Sequence, residues 1–107
     1  TRDFVYVKDI VKANLLAMEN NNLTTEVFNI ASSSQTSILD LIKSINKLTN
    51  KSIKPIFKQA RAGEIKHSYA SIEKAKKILG FKPDYDLEQG LKETIEWYKK
   101  IYKNNLK

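Results

Sequence analysis

The order of hydrophobic and polar residues predicts three short strands. Alternation of apolar and polar side chains, rich in β-branched and aromatic residues, predicts a first strand over residues 1–7. A nearly continuous apolar run over 26–31 is typical of a strand that is buried on both faces. Residues 53–57 predict a third strand, and Pro55 within it indicates an edge position or a strand start.

Apolar residues at helical spacing predict four helices between and after these strands. Each predicted helix is preceded by a residue whose side chain can cap its N-terminus: Asp9, then Thr36 or Ser37, then Ser71, then Asp86. Gln89 follows Asp86 at the spacing of a capping box. Gly80 is suited to a left-handed C-cap after the third helix, which is predicted over 72–79.

The last predicted helix has an aromatic-rich apolar face and an interior glycine. A glycine inside a helix costs about 1 kcal/mol relative to alanine. We therefore expect that Gly90 is needed for close packing against another element. The residues expected to form the buried face are Leu87, Leu91, Ile95, Trp97, Tyr98, Ile101 and Tyr102.

The element order β-α-β-α-β-loop-α-α predicts a mixed α/β unit. A chain of 107 residues is long enough for one domain and too short for two, so we expect a single domain over 1–107. The absence of cysteine excludes disulfides and thiolate metal sites, and a single histidine excludes histidine-rich ones. No apolar run approaches the roughly 18 residues of a membrane span. We expect no metal, no membrane and a cytoplasmic location.

The net charge of +7 raises the alternative of a nucleic-acid-binding domain. Of the 19 basic residues, however, only Arg2 and Arg61 are arginines, and the lysines are spread along the chain. Readers of nucleic acids use arginine for bidentate contacts and aromatic side chains for stacking. The charge pattern therefore favours a solvated lysine-rich surface, and we expect no nucleic-acid partner.

The sequence contains no recognisable catalytic or dinucleotide-binding motif. Its three glycines, Gly63, Gly80 and Gly90, are far apart, so neither a G-x-G-x-x-G turn nor a Walker loop is present. A Tyr-x-x-x-Lys proton-transfer pair is also absent, because Tyr98 and Lys103 are five positions apart. We expect no catalytic residue and no NAD-binding residue in this chain.

The two arginines indicate a binding function. The planar guanidinium fork suits bidentate contact with phosphate oxygens, which lysine cannot reproduce geometrically. Near Arg61, Gly63 lets the backbone approach a ligand, and Glu64 can accept hydrogen bonds from a diol. The alternative is that each arginine pairs with a nearby acid: Asp3 or Asp9 for Arg2, and Glu64 for Arg61.

Three segments follow one another along the chain: RDFVYVKDIVKANLLAM (2–18), VFNIASSSQTSILDLI (27–42) and RAGEIKHSYASIEKAKKILGFKPDYDLEQGLKETIEWY (61–98). In this order they resemble the C-terminal third of extended short-chain dehydrogenases/reductases, most closely UDP-glucose and UDP-N-acetylglucosamine 4-epimerases. The resemblance implies a C-terminal substrate-binding segment of such an enzyme, without the dinucleotide-binding half. The sequence also lacks an initiator Met and opens directly into strand-like sequence, so we expect that its start was cut from something longer.

The resemblance also implies roles for individual residues. Arg2 and Arg61 match the arginines that hold the diphosphate of the UDP-sugar, and Phe4 matches an aromatic residue of the nucleotide pocket. Glu64 matches an acid, more often Asp in the family, that hydrogen-bonds the uridine ribose. Ser68 matches a position near the sugar where a bulky residue restricts the pocket. A serine there leaves room for an N-acetyl group.

The family's catalytic tyrosine and its NAD site lie upstream of the matching segments. The resemblance therefore implies NAD in the full-length enzyme, none bound by this chain, and no epimerase activity of the chain alone. Two alternatives stay open: the same segment of a sugar-nucleotide dehydratase or decarboxylase, or a stand-alone UDP-sugar-binding module.

Family members are usually homodimers. Because the strand expected at 26–31 lacks its normal neighbours, we also expect exposed apolar surface and possible self-association.

Overall fold

Four helices form the regular structure of the chain. They are α1 (Val7–Glu19), α2 (Ile38–Thr49), α3 (Glu73–Leu79) and α4 (Leu87–Asn105). The computed structural model describes residues 1–22 and 24–105, and side chains up to residue 103. α1 packs against α3, and α2 packs against α4. None of the helices in this described part is both long enough and apolar enough to cross a membrane.

The three predicted strands are not found. Among residues 1–22 and 24–105, β-type pairing is limited to one antiparallel bridge, in which the Arg2 N–H donates to Thr36 O at 2.9 Å and the Thr36 N–H donates to Arg2 O at 2.8 Å. The expected order β-α-β-α-β-loop-α-α is therefore replaced by four helices joined by irregular segments. A strand is stabilised by hydrogen bonds to a neighbouring strand, and no described segment supplies one.

Two of the predicted helix caps are confirmed. At the start of α2, the Ser37 Oγ accepts a hydrogen bond from the Asp40 N–H at 3.0 Å. Before α4, the Gln89 N–H donates to Asp86 Oδ1 at 2.8 Å and the Asp86 N–H donates to Gln89 Oε1 at 2.9 Å. This reciprocal pair is the expected capping box, so local sequence accounts for both helix starts.

The expected limits of α3 are nearly right. The helix ends at Gly80, whose φ of +66° is the left-handed conformation predicted for its C-cap. Its start lies one residue later than expected, at Glu73. The Ser71 hydroxyl still accepts a hydrogen bond from the Glu73 N–H, at 3.4 Å.

The expectation that Asp9 caps α1 is wrong. The helix begins at Val7, after Tyr6, so Asp9 lies inside the first turn and is only 1% exposed. Its carboxylate accepts hydrogen bonds from the N–H groups of Asp84 at 2.9 Å and Tyr85 at 3.2 Å. Asp9 therefore joins α1 to the segment that precedes α4, a role that requires contact between distant parts of the chain.

The core is small for a chain of this size. It lies mainly between α1 and α3, and its buried apolar residues are Ala13, Ala31, Ile72, Ala75, Leu79 and Phe81. The accessible surface is 8807 Å², against roughly 6100 Å² for a compact monomer of this mass. The radius of gyration is 17.1 Å, against about 13 Å for a compact domain of this length. The helices thus form a flat layer with a large exposed area.

The expected exposed apolar surface is present. Ile56 is 87% exposed, Val27 80% and Phe57 77%. On α4 the predicted buried face is only partly correct, because three of its aromatic residues are more than half exposed: Trp97, Tyr98 and Tyr102. α2 covers one side of α4, and no described segment covers the aromatic side.

Gly90 has the packing role expected from the sequence. The residue is buried in α4, and a Cβ atom added there would lie 3.1 Å from Cβ, Cγ and Cδ2 of Tyr6. The segment before α1 therefore approaches α4 closely only because residue 90 has no side chain.

Candidate functional site

The guanidinium of Arg2 is held by backbone carbonyls from a distant loop. Its Nη2 donates to Ile65 O at 2.7 Å, and its Nη1 donates to Thr1 O at 2.8 Å and to Lys66 O at 3.4 Å. Within the described residues no ion pair joins Arg2 to Asp3 or Asp9, so the alternative of local charge pairing is wrong for this arginine. The loop carbonyls fix the plane of the guanidinium instead.

These contacts leave one edge of the guanidinium available. An arginine has five N–H donors in a rigid fork. The contacts to Thr1, Ile65 and Lys66 use Nη1 and one donor of Nη2, and no described residue accepts from Nε. The Nε–H and one Nη2–H have no acceptor among the described residues, and we call these two donors the available edge. Guanidinium donors of this kind bind the oxygens of a carboxylate or a phosphate.

The segment around Arg61 forms a tight turn. The Glu64 N–H donates to Arg61 O at 3.2 Å, and Gly63 has a φ of +80°, as the third residue of a type II turn requires. A Cβ at Gly63 would meet no atom within 4 Å, so the position needs glycine for its backbone angle and not for space.

Glu64 is used locally by the turn. Its Oε2 accepts a hydrogen bond from the Arg61 N–H at 3.4 Å. Within the described part of the chain, the Arg61 guanidinium forms no ion pair with this carboxylate. The alternative of a side-chain pair is therefore wrong here too, and the Arg61 side chain extends from an exposed turn.

The loop that follows this turn is attached to the first two residues. The Thr1 Oγ1 is hydrogen-bonded to His67 Nδ1 at 2.7 Å, and the Ser68 N–H donates to Thr1 O at 3.1 Å. The structure therefore brings Arg2 next to Ser68 and next to the loop that continues from Gly63 and Glu64. The His67 side chain is exposed, and within the described residues Thr1 is its hydrogen-bond partner.

Phe4 lines a cavity that the other predicted site residues do not line. It lines an open cavity of about 590 Å³ together with the serines at 32–34, Tyr85 and Gln89. Arg2, Arg61, Gly63, Glu64 and Ser68 do not line this cavity. The structure therefore brings five of the six predicted residues to one loop region and places Phe4 on a neighbouring surface.

Sequence reasoning missed the role of Asp3. Its carboxylate accepts hydrogen bonds from the Ser32 N–H at 2.8 Å, from the Ser32 hydroxyl, and from the Ser33 N–H at 3.1 Å. Ser33 has a φ of +61°, so the chain turns sharply around this carboxylate. The two segments are 29 residues apart and no local pattern connects them, so the sequence contains no direct signal of this contact.

Tyr6, Lys8 and Glu93 form a cluster of titratable groups that lies outside this site. A hydrogen bond to Glu93 and then burial raise the pKa of Tyr6, while hydrogen bonds from Lys8 and Tyr6 lower the pKa of Glu93. None of these residues is among the predicted ligand-binding ones. In residues 1–22 and 24–105, no three His, Asp or Glu side chains are grouped so as to hold a metal ion.

Comparison with known proteins identifies the group to which the fold belongs. A family model described as GDP-mannose 4,6 dehydratase matches residues 1–94. UDP-glucuronic acid 4-epimerase from Bacillus cereus, solved with UDP-glucuronic acid and NAD, is 35% identical with a TM-score of 0.85, over 94% of this chain and 32% of that chain. UDP-glucose 4-epimerase from Bifidobacterium longum, solved with NAD⁺ and UDP, is 26% identical with a TM-score of 0.83, over 92% and 30%.

A relative named as a decarboxylase has a similar sequence identity to this chain. The UDP-N-acetyl-alpha-D-glucosaminuronate decarboxylase of Bacillus cytotoxicus is 37% identical over 107 residues, which cover 94% of this chain and 33% of that protein. The chain spans 26% to 33% of the length of the curated relatives reported for it. The shared segment is therefore common to epimerases and a decarboxylase, and it is about a third of each.

Proposed function

Since the chain belongs to the GDP-mannose 4,6 dehydratase family, we propose that it forms the UDP-sugar-binding portion of an NAD-dependent 4-epimerase acting on UDP-glucose or UDP-N-acetylglucosamine. The observation that carries this proposal is the available edge of the Arg2 guanidinium. Three carbonyls orient the group, and its Nε–H and one Nη2–H remain for two phosphate oxygens. A donor pair oriented before binding loses little conformational entropy when the ligand arrives.

Arg61 supplies the second cation of the proposed diphosphate site. Its side chain extends from an exposed turn that the Glu64 N–H closes on Arg61 O at 3.2 Å. The two arginines thus differ: backbone carbonyls hold the Arg2 guanidinium before the ligand binds, whereas the Arg61 guanidinium has no ion-pair partner within the described residues. A diphosphate held by both anchors the nucleotide, and this remote binding energy positions the sugar for reaction.

Glu64 and Ser68 fit the parts of the ligand on either side of the diphosphate. The Glu64 Oε2 makes only a long contact of 3.4 Å with the Arg61 N–H, so the carboxylate can still accept hydrogen bonds from a ribose diol. Ser68 is exposed, and its small side chain leaves space for an N-acetyl group at the sugar. We therefore favour N-acetylated substrates for the full-length enzyme.

The chemistry of the reaction is assigned to the rest of the enzyme. The glycines of this chain are isolated from one another and do not form a dinucleotide-binding turn, so no residue here is given a role toward NAD. We expect the isolated chain to bind the UDP-sugar without epimerising it. For the full-length enzyme we propose a cytoplasmic homodimer.

An amide NMR titration with UDP tests the diphosphate site. We expect shifts at Arg2 and across residues 61–68, and weaker binding for Arg2→Lys, because the lysine ammonium lacks the planar five-donor fork that can contact several loop carbonyls and two phosphate oxygens together. The loss should be about tenfold or more, which corresponds to one or two charge-assisted hydrogen bonds. Lys51→Arg, at an exposed position outside this region, is the matched control, because it also exchanges one cationic side chain for the other without changing the net charge. UDP affinity that is equal in both variants would refute the role of Arg2.

A decarboxylase or dehydratase is the second candidate, because the Bacillus cytotoxicus decarboxylase is 37% identical over 94% of this chain. The two activities give different products from the same ligand class. An assay of the full-length protein distinguishes them: a C4 epimer formed from UDP-N-acetylglucosamine supports the epimerase. Carbon dioxide released from the corresponding uronic acid supports the decarboxylase instead.

A further inference from the structure

Residues 2 and 3 are attached to the loop over 32–36 at two separate points. The first point is the backbone bridge between Arg2 and Thr36, with hydrogen bonds of 2.9 and 2.8 Å. The second is the Asp3 carboxylate, which accepts from both N–H groups of Ser32 and Ser33 and from the Ser32 hydroxyl. One point of attachment alone would leave a hinge, whereas two fix both the position and the direction of the chain.

This attachment fixes the backbone position from which the Arg2 side chain extends. The guanidinium must reach Ile65 and Lys66, which are more than 60 positions along the chain. Its N–H···O contact of 2.7 Å to Ile65 O tolerates little displacement, because hydrogen bonds weaken steeply away from their preferred geometry. The orientation of the available guanidinium edge therefore depends on the backbone at residues 2 and 3.

We propose that Asp3 is a positioning residue, whose carboxylate orients the Arg2 guanidinium for a nucleoside diphosphate by holding the turn at Ser32 and Ser33. This inference rests on the proposed UDP-binding function and assigns it a residue that does not touch the ligand. A carboxylate is required because both oxygens accept hydrogen bonds. In an asparagine one of them becomes an NH₂ group, which would face an N–H donor of the turn.

The direct test uses the Asp3→Asn variant of the chain and measures the order of the Arg2 side chain. The ¹H–¹⁵N heteronuclear NOE of Arg2 Nε reports its motion and needs no ligand. We expect this NOE to fall in the variant, together with faster hydrogen exchange at the Ser33 amide. Glu19→Gln is the matched control, because Glu19 is an exposed carboxylate at the opposite end of α1. An unchanged Arg2 NOE in a folded Asp3→Asn chain would overturn the proposal.

Binding to two ligands separates positioning from a purely structural role. UDP contains the diphosphate that Arg2 is proposed to hold, and uridine does not. We expect Asp3→Asn to weaken UDP binding about tenfold, as misplacement of a binding group does, while uridine binding changes less than about twofold. Equal loss for both ligands would indicate general damage to the fold and overturn the proposal.

Two further variants, Ser32→Ala and Asp3→Glu, extend the test. If Asp3→Asn does not fold, Ser32→Ala removes only the hydroxyl donor and should lower the Arg2 NOE to a smaller extent; no change there overturns the proposal. Asp3→Glu retains the carboxylate and should restore part of the UDP affinity. If the unaltered chain binds no UDP, the proposed function fails for this chain, and the NOE still decides whether Asp3 positions Arg2.

Discussion

The Tyr6 hydroxyl donates a hydrogen bond of 2.8 Å to the Glu93 carboxylate, across 87 positions of sequence. The same carboxylate oxygen lies 2.6 Å from the Lys8 ammonium. The hydrogen bond to Glu93 raises the pKa of Tyr6 and of Lys8, and both partners lower the pKa of Glu93. This cluster joins the start of α1 to the middle of α4.

The cluster predicts that the stability of the chain falls at acid pH and again at alkaline pH. We call these two parts of the pH profile the acid limb and the alkaline limb. The pKa of Glu93 is lowered from 4.5 in the folded chain. Its contribution to the free energy of unfolding is therefore present above that value and is lost as the pH falls through the folded-state pKa. Since the pKa of Tyr6 is raised from 10.0 and that of Lys8 from 10.5, their contribution is present below those values and is lost as the pH rises through the raised ones.

Glu93→Gln should therefore flatten both limbs. The measurement is the thermal unfolding midpoint as a function of pH for the unaltered chain and the variant. The control is Glu96→Gln on the same helix, an exposed residue for which we expect the unaltered profile. If the unfolding midpoint of Glu93→Gln keeps its full dependence on pH at both ends, groups other than this cluster cause that dependence.

Gly90→Ala tests the close approach of Tyr6 to α4. Helix propensity alone favours alanine by about 1 kcal/mol. The added Cβ would lie 3.1 Å from three Tyr6 atoms, and overpacking of this kind typically costs about 1–3 kcal/mol. We expect a net destabilisation of about 1 kcal/mol, measured by urea unfolding.

The sign of this effect should depend on Tyr6. In a Tyr6→Ala background the obstruction is gone, so Gly90→Ala should stabilise the chain instead. A stabilising effect of Gly90→Ala in the unaltered background would mean that the two residues do not meet as described.

Asp9→Asn should destabilise the fold although the side chain keeps its size. The buried carboxylate accepts from two N–H groups, at Asp84 and Tyr85, and an amide leaves one of these donors without an acceptor. The expected loss of unfolding free energy is about 1–3 kcal/mol. Asp84→Asn is the control, because the carboxylate of Asp84 is 60% exposed and its ion pair with Lys12 is expected to contribute less than about 1 kcal/mol. Equal effects of the two variants in urea unfolding would contradict a special role for Asp9.

The isolated chain is expected to self-associate through its exposed apolar residues. Phe57 is 77% exposed and Trp97 56%, and water-exposed apolar surface of this extent favours association. Sedimentation velocity over a range of concentrations should show species larger than the 12.3 kDa monomer. Phe57→Ser and Trp97→Gln should shift the distribution toward the monomer, whereas Lys54→Gln should not. A single monomeric species at every concentration would contradict the expectation.

Local patterns in the sequence were sufficient for the starts of α2 and α4 and for the end of α3. The caps at Ser37 and Asp86 and the left-handed residue at Gly80 were predicted correctly, because each depends on contacts within four residues. The strands could not be predicted in the same way. The apolar run over 26–31 has the composition of a buried strand, but a strand forms only where another segment lies beside it.

The candidate site was predictable only in part. Arg2, Arg61 and Ser68 were singled out from residue type and from family resemblance, and the structure brings them to one loop region. Phe4 was expected with them but lines a separate cavity. Asp3 was noticed only as a charge partner for Arg2, because its true partners are 29 and 30 positions away.

The sequence by itself determined where α2 and α4 begin and where α3 ends, and it marked Arg2 and Arg61 as candidates for binding a phosphate. It also shows that no G-x-G-x-x-G motif is present among these residues. Only the tertiary structure decided which of these residues meet. The carbonyls of Ile65 and Lys66 orient Arg2, and the buried Asp9 joins α1 to the start of α4. The physical reason is the separation in sequence of the contacting residues. Helix caps and turns close over a few residues, whereas these contacts form only when segments distant in sequence are packed together.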